Sequence, residues 1–124
     1  DSEPEFYVPK SWRGRSEDNK QGSTGNWYDD DLDSLLESCH KVCLHDYKEL
    51  LDNGVCPEQA RMLLPQSMMT EWYWSGSLDA FADMCKLRCA SDTQAETQEV
   101  AKQISVKMHE LFPVSWMALA KDKR

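Results

Sequence analysis

The clearest pattern along the chain is an apolar stripe that recurs every three or four residues. Leu32, Leu35, Leu36, Cys39, Cys43, Tyr47 and Leu50 follow this spacing, which places them along one side of an α-helix. The stripe predicts a long helix over 30–53. Asp29, Asp30, Asp31 and Asp33 stand at its start, where negative charge stabilises the exposed N–H groups of the first turn. Asn53-Gly54 ends it, because glycine accepts the left-handed cap conformation, and Val55 supplies the apolar contact that follows such a cap.

Pro57 predicts the opening of a short second helix, since its missing N–H costs nothing there. Residues 58–64 fill that helix and Pro65 ends it. MMTEWYW, 68–74, is rich in aromatic residues and is the best strand candidate. Ser75-Gly76-Ser77 reads as a turn with an N-cap. A third helix is predicted from Leu78 to Cys89, with Leu78, Phe81, Ala82, Cys85 and Leu87 apolar. Thr93-Gln94-Ala95-Glu96 has the T-x-x-E form of a capping box and starts a fourth helix, with Ala101, Ile104, Met108 and Leu111 on one face. Pro113 interrupts it, Val114 to Ala120 forms a last short helix, and Lys121 to Arg124 reads as a frayed end.

Ahead of the helices, residues 1–28 read as an extended arm and loop. Glu5 to Val8 is a short extended piece stopped by Pro9. Ser11 to Asn26 is polar and glycine-bearing, hence a loop, anchored by Trp12 and Trp27. The fold class is α+β and predominantly helical. The arm and the helical core 29–124, with one strand near 68–74, together make one domain.

Charge narrows the chemistry. The formal net charge of −8 over 124 residues argues against a nucleic-acid partner, which needs a basic footprint. It leaves room for an anionic small molecule held by local arginines. No stretch has the length of a membrane span and no signal peptide is visible, so no membrane partner is expected. Five cysteines, an odd number, suggest reduced thiols in the cytoplasm. Cys39/Cys43 and Cys85/Cys89 have C-x-x-x-C spacing, with His40 and His45 near the first pair. A zinc site is geometrically possible there, but small apolar residues on buried helix faces are the favoured reading, and no metal is expected. His40, His45 and His109 read as surface or half-buried histidines rather than bases.

Arg61 lies among Met62, Leu63 and Leu64, and Arg88 lies in MCKLRCAS. A guanidinium keeps its proton, so beside apolar neighbours it needs an anion. That anion is either an internal carboxylate, such as Glu71 or Asp92, or a ligand. No hydrolytic motif, Gly-rich phosphate loop or dinucleotide fingerprint is present.

EFYVPKSW, NKQGS, GVCPEQARMLLPQSMMTEWYWSGSLDAFADMCKLR and the closing LFPVSW occur in an order that resembles the flavin-dependent thymidylate synthases, ThyX, over nearly the whole chain. The resemblance implies the C-terminal part of the ThyX fold, with short antiparallel strands. It implies conversion of dUMP to dTMP, with methylenetetrahydrofolate as carbon donor and NADPH as reductant through FAD. It also implies a homotetramer with active sites between subunits. By position, Arg61 corresponds to the arginine that holds the dUMP phosphate, and Arg88 to the one that hydrogen-bonds the uracil ring and activates it. FAD contacts map to Ser77, Leu78, Asp79 and Asp83. The two aspartates depart from the arginine or asparagine of some relatives, so backbone contacts are expected there rather than side-chain ones. Asp92 and Thr93 stand where the family often has histidine and alanine, while Gln94 and Glu96 fit. The motif RHRxxSxNxxSxRY, which the family carries just before the part matched here, is absent. The implied reading is a C-terminal piece whose partner is the missing N-terminal part, inactive when isolated. The alternative is a catalytically silent helical module that self-associates through helix 30–53.

Overall fold

The structure, a computed structural model, describes residues 3–20 and 22–121. It falls into two compact units, Asp1–Trp12 with Trp27–Trp72, and Arg13–Asn26 with Tyr73–Arg124.

The first unit is organised by helix α1, Asp30–Asp52. Asp29 is its N-cap, and its carboxylate accepts from the amides of Asp31 at 3.0 Å and Leu32 at 3.1 Å. Gly54 has φ +83°. The Gly54 N–H donates to the Leu51 carbonyl and the Val55 N–H to that of Leu50, the paired bonds of a Schellman cap. Both ends therefore lie where the acidic run and Asn53-Gly54 predict. Helix α2, Pro57–Ala60, continues into a 3-10 helix, Arg61–Leu63, and both pack on α1.

The strand expected near 68–74 does not form. Phe6 and Met68 make one isolated antiparallel bridge, through Tyr7 N to Ser67 O at 2.8 Å and Met69 N to Glu5 O at 2.7 Å. Beyond Met69 the backbone to Ser77 is irregular. Aromatic residues favour strands only where a neighbouring strand accepts their backbone bonds, and the described partner ends after one bridge. The extended piece at Glu5 to Val8 is thus half of that bridge.

The second unit contains the opposite correction. Residues expected as a loop form a two-stranded antiparallel hairpin, β1 Trp12–Arg15 and β2 Ser23–Trp27, whose outer ends are counted with the first unit. Both strands are short and, apart from Trp12, Thr24 and Trp27, made of polar residues and glycine, so no apolar alternation marked them. Trp12 anchors its end, donating its indole N–H to Asp33 at 2.9 Å, whereas Trp27 is 43% exposed.

Helices α3 Leu78–Arg88, α4 Ala95–Leu111 and α5 Pro113–Ala120 pack pairwise. Ala82, Cys85 and Trp116 form their core, with Leu78, Phe81, Met84, Cys89, Ile104 and Met108 against it. Leu87 is exposed rather than buried, because two residues past Cys85 is about 200° around the helix. The capping box at Thr93 is not used. Gln94 is the N-cap and makes no side-chain cap bond, Thr93 turns back to the Leu87 carbonyl, and Arg13 holds Glu96. The predominantly helical α+β class stands. No helix among the described residues is long and apolar enough to cross a membrane. The tail expected to fray lies, from residue 122 onward, outside the described residues.

Candidate functional site

Five of the six predicted site residues belong to α3 or its cap. Ser77 is the N-cap, and its Oγ accepts the Ala80 N–H at 3.1 Å. Leu78 turns its side chain into the three-helix core, which leaves its backbone for any ligand. Asp79 is exposed in the first turn. Asp83 is exposed and accepts from Lys86 Nζ at 3.3 Å. The first-turn N–H groups of an eleven-residue helix suit an anionic group and the Asp79 carboxylate opposes one. The groups here that suit an anion are therefore main-chain amides and not these side chains.

Arg88 closes α3 and is exposed. It borders an open groove of about 520 Å³, together with Leu87, Asp92, Thr93, Gln94 and Thr97. Among the described residues Arg88 makes no ion pair, and Asp92, the expected internal partner, does not take it. Arg61 lies in the other unit, on the 3-10 helix. It too makes no ion pair among the described residues, so Glu71 does not neutralise it. Its setting differs from the expectation. Arg61 is exposed, and so are Met62 at 77% and Leu63 at 39%. Three residues per turn spread consecutive side chains around the 3-10 axis, and within this unit it is the preceding Ala60 that is fully buried.

Two arrangements carried no signal in sequence. Arg13 on β1 holds Glu96 of α4 through both carboxylate oxygens, at 2.6 and 2.8 Å, and donates its Nε–H to Ser23 Oγ at 2.8 Å. The Arg13 bond holds the Glu96 carboxyl below its ordinary range, against a smaller opposing effect of burial. In the first unit His40 is 7% exposed, stacks on Phe6 with ring centroids 4.6 Å apart, and places Nε2 2.7 Å from Ser67 Oγ. It is a tie between α1 and the bridge rather than a surface residue. The thiols follow the reading of small apolar groups in part. Burial, then Cys89, pushes the Cys85 thiol up to about 11, and burial and Cys39 raise that of Cys43, while Cys39 is exposed. No three His, Cys, Asp or Glu side chains among the described residues are placed to hold a metal ion.

The profile of the family described as thymidylate synthase complementing protein matches residues 1–114. This chain belongs to that family, the flavin-dependent thymidylate synthases or ThyX. The flavin-dependent thymidylate synthase of Thermus thermophilus is 36% identical over 114 residues, 92% of this chain and 42% of the relative. That of Kosmotoga olearia is 36% identical over 118 residues, 92% of this chain and 51% of the relative. That of Thermosipho africanus is 32% identical over 126 residues, 94% and 53% respectively. The chain spans about half the length of the curated relatives it matches. For a ThyX family member, the open groove at Arg88 and the cap at Ser77 lie at the two ends of one helix.

Proposed function

We propose that this chain is the C-terminal part of a flavin-dependent thymidylate synthase, which methylates dUMP to dTMP with methylenetetrahydrofolate as carbon donor and NADPH as reductant. The observation that carries this reading is an exposed Arg88 at an open groove, without an internal carboxylate partner, in a member of this family. A fixed cation there binds the uracil edge and favours negative charge on the ring oxygen and nitrogen, which makes C5 a better nucleophile. Arg61, likewise without an ion pair, takes the phosphate, whose geometry suits a guanidinium fork. The α3 amides at Leu78 and Asp79 would hold the FAD pyrophosphate, and FAD, when bound, would supply the reducing equivalents. Assembly with the N-terminal part and into a homotetramer adds the remaining catalytic groups, so the chain alone binds dUMP but does not turn it over.

Calorimetric titration of the chain with dUMP tests the reading. Binding that weakens at least tenfold in Arg61→Ala and in Arg88→Ala supports it; binding unchanged in both refutes it. A second reading, self-association without catalysis, is favoured by Leu35 and Val42 of α1, which are 67% and 59% exposed. Sedimentation of Leu35→Asp separates the two, because only the second predicts loss of association with no role for either arginine.

A further inference from the structure

The C-terminal end of α3 is not left to water. The Leu87 carbonyl inside it and the Cys89 and Ala90 carbonyls just past it are taken by Thr93, ahead of α4, and Gln98 within α4, so the bonds fall on both sides of Arg88. Thr93 Oγ1 donates to Leu87 O at 3.0 Å. Gln98 Nε2 donates to Cys89 O at 3.3 Å and to Ala90 O at 2.8 Å. The Ala90 carbonyl also accepts the Thr93 N–H at 3.1 Å, so both of its lone pairs are used. The Gln98 amide has one sensible orientation, because Lys102 Nζ donates to its oxygen at 3.2 Å. Gln98 is half-buried, where an amide bond is worth more than at an exposed site.

We infer that Gln98, assisted by Thr93, is a positioning residue for Arg88: by holding the carbonyls on either side of it, the pair fixes the direction in which the guanidinium enters the groove. Helix termini fray when their last carbonyls find no partner, and Arg88 is the last residue of α3. A wandering Cα–Cβ direction would scatter a long side chain over several rotamers, and ordering them again on binding costs affinity. Glu96, two residues before Gln98, is clamped by Arg13, and Asn19 Nδ2 donates to Asp92 O at 3.3 Å. The segment that supplies Thr93 and Gln98 is thus itself held. This inference rests on the reading of Arg88 as a base-binding residue.

The test compares two probes, dUMP and 2-deoxyribose 5-phosphate, titrated into the same chain. Their affinity ratio isolates the contribution of the base. Gln98→Met keeps length and removes the donors, and Gln98→Glu keeps shape and replaces donors by acceptors at neutral pH. Each is expected to lower the dUMP preference about five- to tenfold, with 2-deoxyribose 5-phosphate binding unchanged. Thr93→Val, close in shape, lowers it less, and serves if the Gln98 variants do not fold. A wild-type chain that binds the probes alike, or binds neither, overturns the reading of Arg88 and this inference with it. A wild-type preference that survives Gln98→Met and Thr93→Val overturns this inference alone. Equal loss of both probes also overturns it, since that is damage to the fold and not to the aim of Arg88.

Discussion

Trp116 and Leu35 are both large apolar side chains on helices, yet Trp116 is 3% exposed and Leu35 is 67% exposed. They belong to different units, and the contrast extends to the units themselves. In the second, α3, α4 and α5 each pack on the other two, so each helix finds helical partners and the three share a core at Ala82, Cys85 and Trp116. In the first, α1 has 23 residues, about 35 Å of helix. Against it stand a four-residue helix and a three-residue turn, which cover part of one side. The half-buried positions of α1 run through Leu32, Leu36, Cys43, Tyr47 and Leu50 beside buried His40. Leu35, Cys39 and Val42 form a parallel line left in solvent. The second unit is held by its own core. The first is held by ends, caps and a buried histidine, and offers a stripe for something else to cover.

Breaking each unit where it is strongest should give the largest contrast. Trp116→Ala removes the largest buried side chain of the three-helix core and should cost about 3–5 kcal/mol, read as a lower midpoint in urea unfolding followed by circular dichroism. His40→Ala removes the stacking on Phe6 and leaves Ser67 without its partner. It should cost about 1–3 kcal/mol and speed amide exchange at Tyr7 and Met69, whose N–H groups form the bridge, while exchange in α3 to α5 stays unchanged.

The Arg13–Glu96 clamp offers a finer test within the second unit. Glu96 has a lowered folded-state value relative to 4.5, so its contribution is complete above that pH and is lost as pH falls through the folded value. Its side chain is 41% exposed, which limits the effect to roughly 1 kcal/mol. Glu96→Gln should lower thermal stability at pH 7, and the difference from wild type should shrink as pH falls below the ordinary carboxylate range. The smallest effect belongs to the exposed stripe: Leu35→Ser should change the stability of the dilute chain by no more than about 0.5 kcal/mol. A loss comparable to that of Trp116→Ala would mean that the stripe is already buried in solution, and the contrast between the units would fail.

Much of this molecule was legible because local chemistry decides it. The acidic run and Asn53-Gly54 mark the ends of α1, and Ser77 caps α3, because caps depend on residues a few positions apart. Thr93-Gln94-Ala95-Glu96 misled for the same reason in reverse: Arg13, far away in sequence, takes the glutamate that a local box would use. The hairpin at 12–27 and the lone bridge at Met68 were misjudged because strand formation depends on a partner, and neither propensity nor periodicity names one. The residues assigned to ligands were found by likeness, and the structure adds that neither Arg61 nor Arg88 is neutralised within its own unit by the carboxylates nearest in sequence.

By itself, then, the amino-acid order determined the family, the helices and the caps of α1 and α3, since these follow from motif order and from interactions spanning one or two turns. Tertiary structure alone decided which apolar stripe is core and which is surface, that His40 is buried, and that Gln98 and Thr93 hold the end of α3. Those outcomes depend on which distant segment arrives at a given face, and burial and hydrogen-bond pairing are properties of that arrival.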